Sequence, residues 1–211
     1  TKAYEENGVN ACTKHFVARG GRSNYFNAKS PANLVDSWLV GWKSAVIDNG
    51  SGWIMLNNRK ILNGFYAMLG LTDKADDIMR TVDKLDKIGA EKVRTLLIDE
   101  VGVSAESADE ILKFIAITGS NDQVLSALEG YAGRNETFDE GLDQLKTVVK
   151  YLSAFGVPEE NFAVDLTIAR GLDYYTGTVY ETALLDHPEI GSVCSGGRYD
   201  NLAEYYTDKQ L

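Results

Sequence analysis

Residues 162–185 read FAVDLTIARGLDYYTGTVYETALL, and this stretch decides the fold. Apolar residues alternate with small or polar ones over 162–168, which predicts a strand with one buried face. Residues 178–185 are rich in β-branched and aromatic side chains and predict a second strand. After turn-forming residues at 186–189, residues 190–195 predict a third. Because consecutive strands with short connections pair antiparallel, we expect an antiparallel sheet.

The region before these strands is predicted to be mainly helical, because its apolar residues recur at spacings of three and four. The expected elements are a helix from Ser30, a strand over 53–56, a helix with Ile61 to Leu69 on one face ended by Gly70, a helix from Thr72 or Asp73 to Leu85, and helices over 90–100, after Ser104, over 121–131 and over 137–155. Helices followed by an antiparallel sheet make an α+β fold. We therefore divide the chain into a mixed segment 1–56, a mainly helical region 57–157 and a hairpin region 158–211.

The composition excludes several classes of protein. The chain has 211 residues, 44% of them hydrophobic, and a net charge of −10, which is ordinary for a globular protein and excludes a disordered or fibrous one. An excess of acidic residues excludes a general nucleic-acid binder, although a small specific RNA contact stays open. Two cysteines without a CxxC spacing, and only two histidines, favour no structural metal site and no disulfide framework. We find neither a membrane-spanning run nor a signal peptide and expect a cytoplasmic protein.

Two polar clusters lie at the ends of neighbouring predicted strands. The first is RGLDYYTG at 170–177 and the second is SGGRYD at 195–200. An arginine provides a permanently charged fork for a carboxylate or phosphate, tyrosines provide walls and hydroxyl groups, and glycines let a backbone approach a ligand. The alternative is a plain hairpin with a structural Arg–Asp pair and surface tyrosines. Two such clusters on one hairpin favour a binding site.

These clusters carry a specific resemblance. RGLDYYTGTVYE at 170–181 resembles the first histidine-binding signature of histidyl-tRNA synthetases, and SGGRYDNL at 195–202 resembles the second. NNRKIL at 57–62 and DKLDKIG at 83–89 are similar to stretches between the catalytic halves of that family. Order and spacing agree over roughly 57–211. The resemblance implies a class II synthetase core, with its antiparallel sheet, and a helical insertion domain placed over the acceptor stem of tRNA(His).

The resemblance also implies roles for individual residues. Arg170 matches the arginine that contacts the histidine carboxylate and the α-phosphate while the adenylate forms, where a fixed positive charge stabilises the transition state. The residues implied to bind the substrate are Tyr174, Tyr175, Gly196, Gly197 and Tyr199, of which Tyr175 and Tyr199 line the imidazole pocket. The residues implied to support them are Asp173, Glu181 and Arg198. Ser195 replaces a glycine that is common in the family. No metal ligand is implied within this chain.

The implied function is ligation of histidine to tRNA(His), with ATP and Mg²⁺ as cofactors of the full enzyme. A homodimer is usual in the family. We find no motif 1, no motif 2 loop, and no motif 3 before Leu211, so we expect this chain alone to be inactive in adenylation. The alternative is a non-catalytic paralogue that senses histidine or regulates another protein, against which the retained Arg170 argues, because a sensor does not need it.

Residues 1–56 have a faint similarity to family-three β-glucosidases. It rests on GVNACTKHF at 8–16 and WKSAVIDNG at 42–50. In those enzymes Lys14 and His15 would bind sugar hydroxyls, but neither a barrel nor the region of the nucleophilic aspartate accompanies them, so we interpret both as structural or surface residues. The same helix and strand equally fit the segment that precedes Asn57 in a synthetase, and both interpretations stay open.

Overall fold

A computed structural model of the chain describes residues 52–168, 175–185, 188–198 and 200. The helix predicted from Ser30 and the pair Lys14 and His15 lie outside the described residues.

Four strands form one sheet in the described part of the chain. They are β1 (Gly52–Asn58), β2 (Phe162–Val164), β3 (Thr178–Leu184) and β4 (Cys194–Gly197), in the spatial order β2-β1-β3-β4. β1 is antiparallel to β3, β3 is antiparallel to β4, and β2 is parallel to β1 at the edge. The strands predicted over 53–56 and 178–185 are therefore confirmed, and β1 runs across residue 56, where we placed a domain boundary.

The prediction for the other two strands was partly wrong. The strand predicted over 162–168 ends at Val164, and it pairs with β1 instead of β3. It ends because the Asp165 carboxylate accepts hydrogen bonds from the Thr167 backbone N–H at 2.9 Å and hydroxyl at 2.7 Å, which turns the chain. The predicted third strand begins later, at Cys194, because Pro188–Ile190 form a 3-10 turn.

Seven α-helices lie between β1 and β2. They are α1 (Arg59–Met68), α2 (Ala75–Val82), α3 (Leu85–Ile88), α4 (Ala90–Asp99), α5 (Ala105–Ile115), α6 (Asn121–Glu129) and α7 (Glu136–Ala154). Ser104 accepts a hydrogen bond from the third backbone N–H of α5, and Gly70 follows α1 with a positive φ of 72°. The helix predicted from residue 72 to 85 is divided, because a 3-10 turn precedes α2 and Leu85 starts the separate helix α3.

Helices α1 and α7 cross closely and pack against the sheet. Gly64 of α1 faces the backbone of Phe138, and Gly141 of α7 faces the backbone of Ile61, so neither glycine position has room for a side chain. Beside the crossing, the rings of Phe65 and Phe114 stack at 3.8 Å between centroids. This apolar centre continues onto β1 and β2 through their buried side chains, Ile54, Leu56, Phe162 and Val164.

Candidate functional site

The register of the sheet sorts its side chains onto two faces, because successive residues of a strand point to opposite sides. Leu56, Tyr180 and Gly196 are cross-strand partners, and so are Asn58 and Thr178. The Asn58 side chain donates a hydrogen bond to the Gln144 side chain of α7 at 2.9 Å, so this is the helical face. The outer face, on the opposite side, carries Asn57, Val179 and Gly197 in one row and Met55, Glu181 and Ser195 in the next.

Tyr175 of the first predicted cluster lies against Gly197 of the second. A Cβ atom added to Gly197 would lie 2.7 Å from Cγ and Cδ1 of the Tyr175 ring, far closer than van der Waals contact. Glycine is therefore required at position 197 for the ring to occupy this place on the outer face. The two clusters, which are separate in sequence, form one surface here.

The ends of the two clusters are joined by a polar network around Asp200. The Thr176 backbone N–H donates to the Arg198 carbonyl oxygen at 2.8 Å, and the Thr176 hydroxyl donates to Asp200 Oδ2 at 2.9 Å. Arg198 Nε donates to Asp200 Oδ1 at 2.8 Å. The Arg198 side chain is 63% exposed. Arg198 therefore holds Asp200 from the exposed side of the turn.

The network has an electrostatic consequence. The hydrogen bond from Arg198, and after it the hydrogen bond from Thr176, lower the pKa of Asp200 below its ordinary value, against a smaller opposing effect of burial. Because the folded-state pKa is the lower one, the network contributes stability above the unfolded-state pKa and loses it as the pH falls through the folded-state pKa.

We expect a carboxyl-carbon NMR titration to place the midpoint of Asp200 below that of an ordinary aspartate, about 3.9. An Arg198→Gln substitution should raise this midpoint, because it removes the charged donor. Asp109, whose pKa is lowered by a hydrogen bond from Arg94, serves as the control and should titrate identically in both proteins. An unchanged Asp200 midpoint in the variant would contradict the network.

The other predicted residues lie as follows. Glu181 is half-buried on the outer face, and Gly196 is on the helical face, where its Cβ position is 2.7 Å from the Tyr180 hydroxyl. A ligand beside Tyr175 would therefore meet only the backbone of Gly196. The remaining predicted residues, Arg170, Asp173, Tyr174 and Tyr199, lie outside the described residues.

Sequence reasoning missed Asn57 as a member of this surface. Its side chain is fully buried on the outer face and donates to the carbonyl oxygens of Leu166 at 3.3 Å and Ile168 at 3.0 Å. The resemblance of residues 57–62 to a family stretch was the one signal that pointed to this position.

Two features are absent from the part of the chain that the structure describes. In these residues, none of the helices is long and apolar enough to cross a membrane. The same residues contain no group of three His, Cys, Asp or Glu side chains arranged to hold a metal ion.

Comparison with known proteins decides the family. The family model described as histidyl-tRNA synthetase matches residues 38–210, which is most of the chain. The chain belongs to the histidyl-tRNA synthetase family. The match includes residues 38–56, so this part of the first segment aligns with a synthetase.

Individual relatives agree with this assignment. The chain is similar to the histidine–tRNA ligase of Clostridium tetani (strain Massachusetts / E88), with 50% identity over 158 residues, which are 75% of this chain and 36% of that protein. It is also similar to the crystal structure of histidyl-tRNA synthetase from Nostoc sp. PCC 7120, with a TM-score of 0.74, 37% identity, and coverage of 85% of this chain and 42% of that one. The α+β fold of a class II core is thereby confirmed. The chain spans about a third to two fifths of the length of these histidyl-tRNA synthetases.

A third likeness concerns the fold alone. The structure titled an ATP phosphoribosyltransferase regulatory subunit/histidyl-tRNA synthetase from Bacillus halodurans C is similar with a TM-score of 0.60 and 21% identity, covering 82% of this chain and 44% of that one. At that identity the likeness shows a shared fold alone.

Proposed function

We propose that this chain provides the histidine-binding part of an ATP-dependent histidine–tRNA ligase. One observation carries the proposal: the Tyr175 ring of the first signature lies against Gly197 of the second, on the face of the sheet away from the helices. A pocket assembled from both signatures needs this contact, since one signature then forms a wall over the backbone of the other.

Within this pocket, Tyr175 contributes an aromatic wall and a hydroxyl group for the imidazole, together with Tyr174 and Tyr199. Arg170 binds the carboxylate of histidine and stabilises the α-phosphate as its charge shifts during adenylation. Glu181 and Asp173 support these groups. Arg198 acts at a distance, because it holds Asp200 and through it Thr176, the residue that follows Tyr175.

ATP would supply the activated phosphate, and Mg²⁺ would accompany it. Since the described residues contain no group of three His, Cys, Asp or Glu side chains arranged to hold a metal ion, we derive no step through Mg²⁺. Contact of the helical region 57–157 with the acceptor stem of tRNA(His), and a homodimer, follow from the family resemblance alone. The non-catalytic paralogue would bind histidine on the same face, and the retained Arg170 favours the ligase.

Calorimetric titration of the chain with histidine and phenylalanine tests the pocket without requiring catalysis. We expect histidine to bind at least about 100-fold more tightly than phenylalanine, because a site built to pair with substrate N–H groups leaves buried polar atoms unpaired when they are missing. Equal affinity for the two amino acids, or no binding of either, would overturn the proposed function.

Two matched variants locate the pocket on one face of the sheet. Tyr175→Phe removes a hydroxyl group from the outer face, and we expect it to weaken histidine binding about tenfold. Tyr180→Phe removes a hydroxyl group from the helical face and should leave the affinity unchanged within about twofold. If Tyr180→Phe weakens histidine binding and Tyr175→Phe does not, the pocket lies on the helical face and the proposed location is wrong.

A further inference from the structure

Asn57 lies in the central strand β1, and its side chain amide is fully buried. Its two N–H groups reach two different acceptors, the carbonyl oxygens of Leu166 and Ile168, and its own oxygen accepts the Asn58 backbone N–H at 2.8 Å. Both the nitrogen and the oxygen of the amide group thus form hydrogen bonds. These hydrogen bonds hold the irregular backbone just after β2, where the described part of the chain offers the carbonyl groups no neighbouring strand to bond.

This contact lies beside the proposed pocket. Asn57 is the cross-strand partner of Val179, and Val179 is the partner of Gly197, so the three residues form one row on the outer face. Gly197 lies under the Tyr175 ring. Two residues of this row therefore contact the chain on either side of Arg170. Asn57 holds Ile168, two residues before it, and Gly197 lies under Tyr175, five residues after it.

We propose that Asn57 is a positioning residue for Arg170, which acts by fixing the backbone that leads into the first signature. The proposal rests on the proposed function. An amide is required chemically, because a carboxylate at this position would present oxygen to two carbonyl oxygens, and a shorter apolar side chain would leave both carbonyls without a donor. The backbone would then shift to find other donors, and displacements of about 1 Å are enough to impair a charged contact with a ligand.

Asn121 provides a matched control for this role. It is also a buried asparagine whose amide bonds backbone: it donates to the Phe162 carbonyl oxygen at 3.2 Å and accepts from the Val164 backbone N–H at 2.8 Å. It therefore ties α6 to the edge strand β2 with the same chemistry, so we expect its loss to lower stability as well. Its contacts end before the segment that leads into Arg170.

The experiment compares Asn57→Ala and Asn121→Ala in the full chain by urea unfolding and by calorimetric titration with histidine and histidinol, which lacks the carboxylate. We expect both variants to unfold at lower urea. Only Asn57→Ala should weaken histidine binding, by at least about tenfold, while histidinol binding changes by less than about threefold. A purely structural role would weaken the binding of both ligands alike.

A double variant sharpens the test. If Asn57 acts through Arg170, Asn57→Ala combined with Arg170→Ala should bind histidine no more weakly than Arg170→Ala alone, because both changes remove the same interaction. An additive loss, an equal loss for histidine and histidinol, or an unchanged affinity of the folded Asn57→Ala protein would each overturn the positioning role.

The histidine affinity of the unmodified chain distinguishes failure of the proposed function from failure of the positioning role alone. If it does not bind histidine, the proposed function fails and the positioning role fails with it. If it binds and Asn57→Ala binds equally well, only the positioning role fails. Should Asn57→Ala not fold, Asn57→Ser, which keeps one donor, replaces it in the same comparison, with the same expected difference between the two ligands.

Discussion

Replacement of Arg170 by alanine is expected to weaken the binding of histidine to this chain by about 30- to 100-fold, while histidinol binding stays within about threefold. The guanidinium group is permanently charged, and the proposed pocket uses it to hold the substrate carboxylate. Histidinol has no carboxylate, so it has nothing to lose when the arginine is removed. The difference between the two ligands therefore reports the Arg170–carboxylate contact separately from the imidazole pocket.

The measurement is calorimetric titration of both ligands into the unmodified chain and the variant. Arg94→Ala is the control for a lost positive charge, since Arg94 lies on α4 and forms an ion pair with Asp109 of α5 at 2.6 Å. It should bind both ligands as the unmodified chain does. If Arg170→Ala weakens histidine and histidinol binding equally, the arginine shapes the pocket without contacting the carboxylate, and its assigned role is wrong.

The local elements could be predicted because each carries its own signals. Gly70 ends α1 with a positive φ, and Ser104 caps α5, and both features are visible within a few residues of sequence. The alternating pattern of residues 162–168 also identified Leu166 and Ile168 as buried. It failed to place the end of the strand, because the Asx turn at Asp165 preserves the alternation of burial while it breaks the ladder.

The pairing of the strands and the hydrogen bonds that Asn57 donates could not be predicted, because both join residues that are distant in sequence. β1 lies between β2 and β3 although the whole helical region separates it from them, so the rule for consecutive strands gave the wrong neighbour for β2. The Asn57 amide reaches carbonyl groups 109 and 111 residues away. Nothing in the neighbourhood of an asparagine indicates whether it is buried against such a segment or exposed in a turn.

The crossing of α1 and α7 is expected not to tolerate even a substitution of glycine by alanine. An exposed glycine inside a helix costs about 1 kcal/mol relative to alanine, so Gly64→Ala and Gly141→Ala would ordinarily stabilise the fold. Here the added Cβ would lie 2.5 Å from the Phe138 backbone nitrogen in the first case and 2.7 Å from the Ile61 backbone nitrogen in the second. Backbone atoms cannot move aside as a side chain can, so each substitution must separate the helices. We expect a loss of about 2–3 kcal/mol in the free energy of unfolding for each.

Urea unfolding of the two variants and of Gly130→Ala measures this. Gly130 follows α6 in the right-handed helical region with φ −62°, and its Cβ would lie 3.2 Å from the Ala127 carbonyl oxygen, so we expect a change below about 1 kcal/mol. A gain in stability for Gly64→Ala or Gly141→Ala would mean that the helices do not approach as described.

The double variant connects this crossing to the site. Once one Cβ has separated α1 from α7, the second has less to disrupt, so the combined loss should be smaller than the sum of the two. The separation should also reach the hairpin, because α1 begins at Arg59, whose backbone N–H donates to the Gly177 carbonyl oxygen at 3.0 Å, and Asn58 is held to Gln144 of α7. We therefore expect the folded single variants to lose histidine affinity as well, in contrast to Gly130→Ala. Stability lost without any loss of affinity would show that the crossing supports the fold but does not position the pocket.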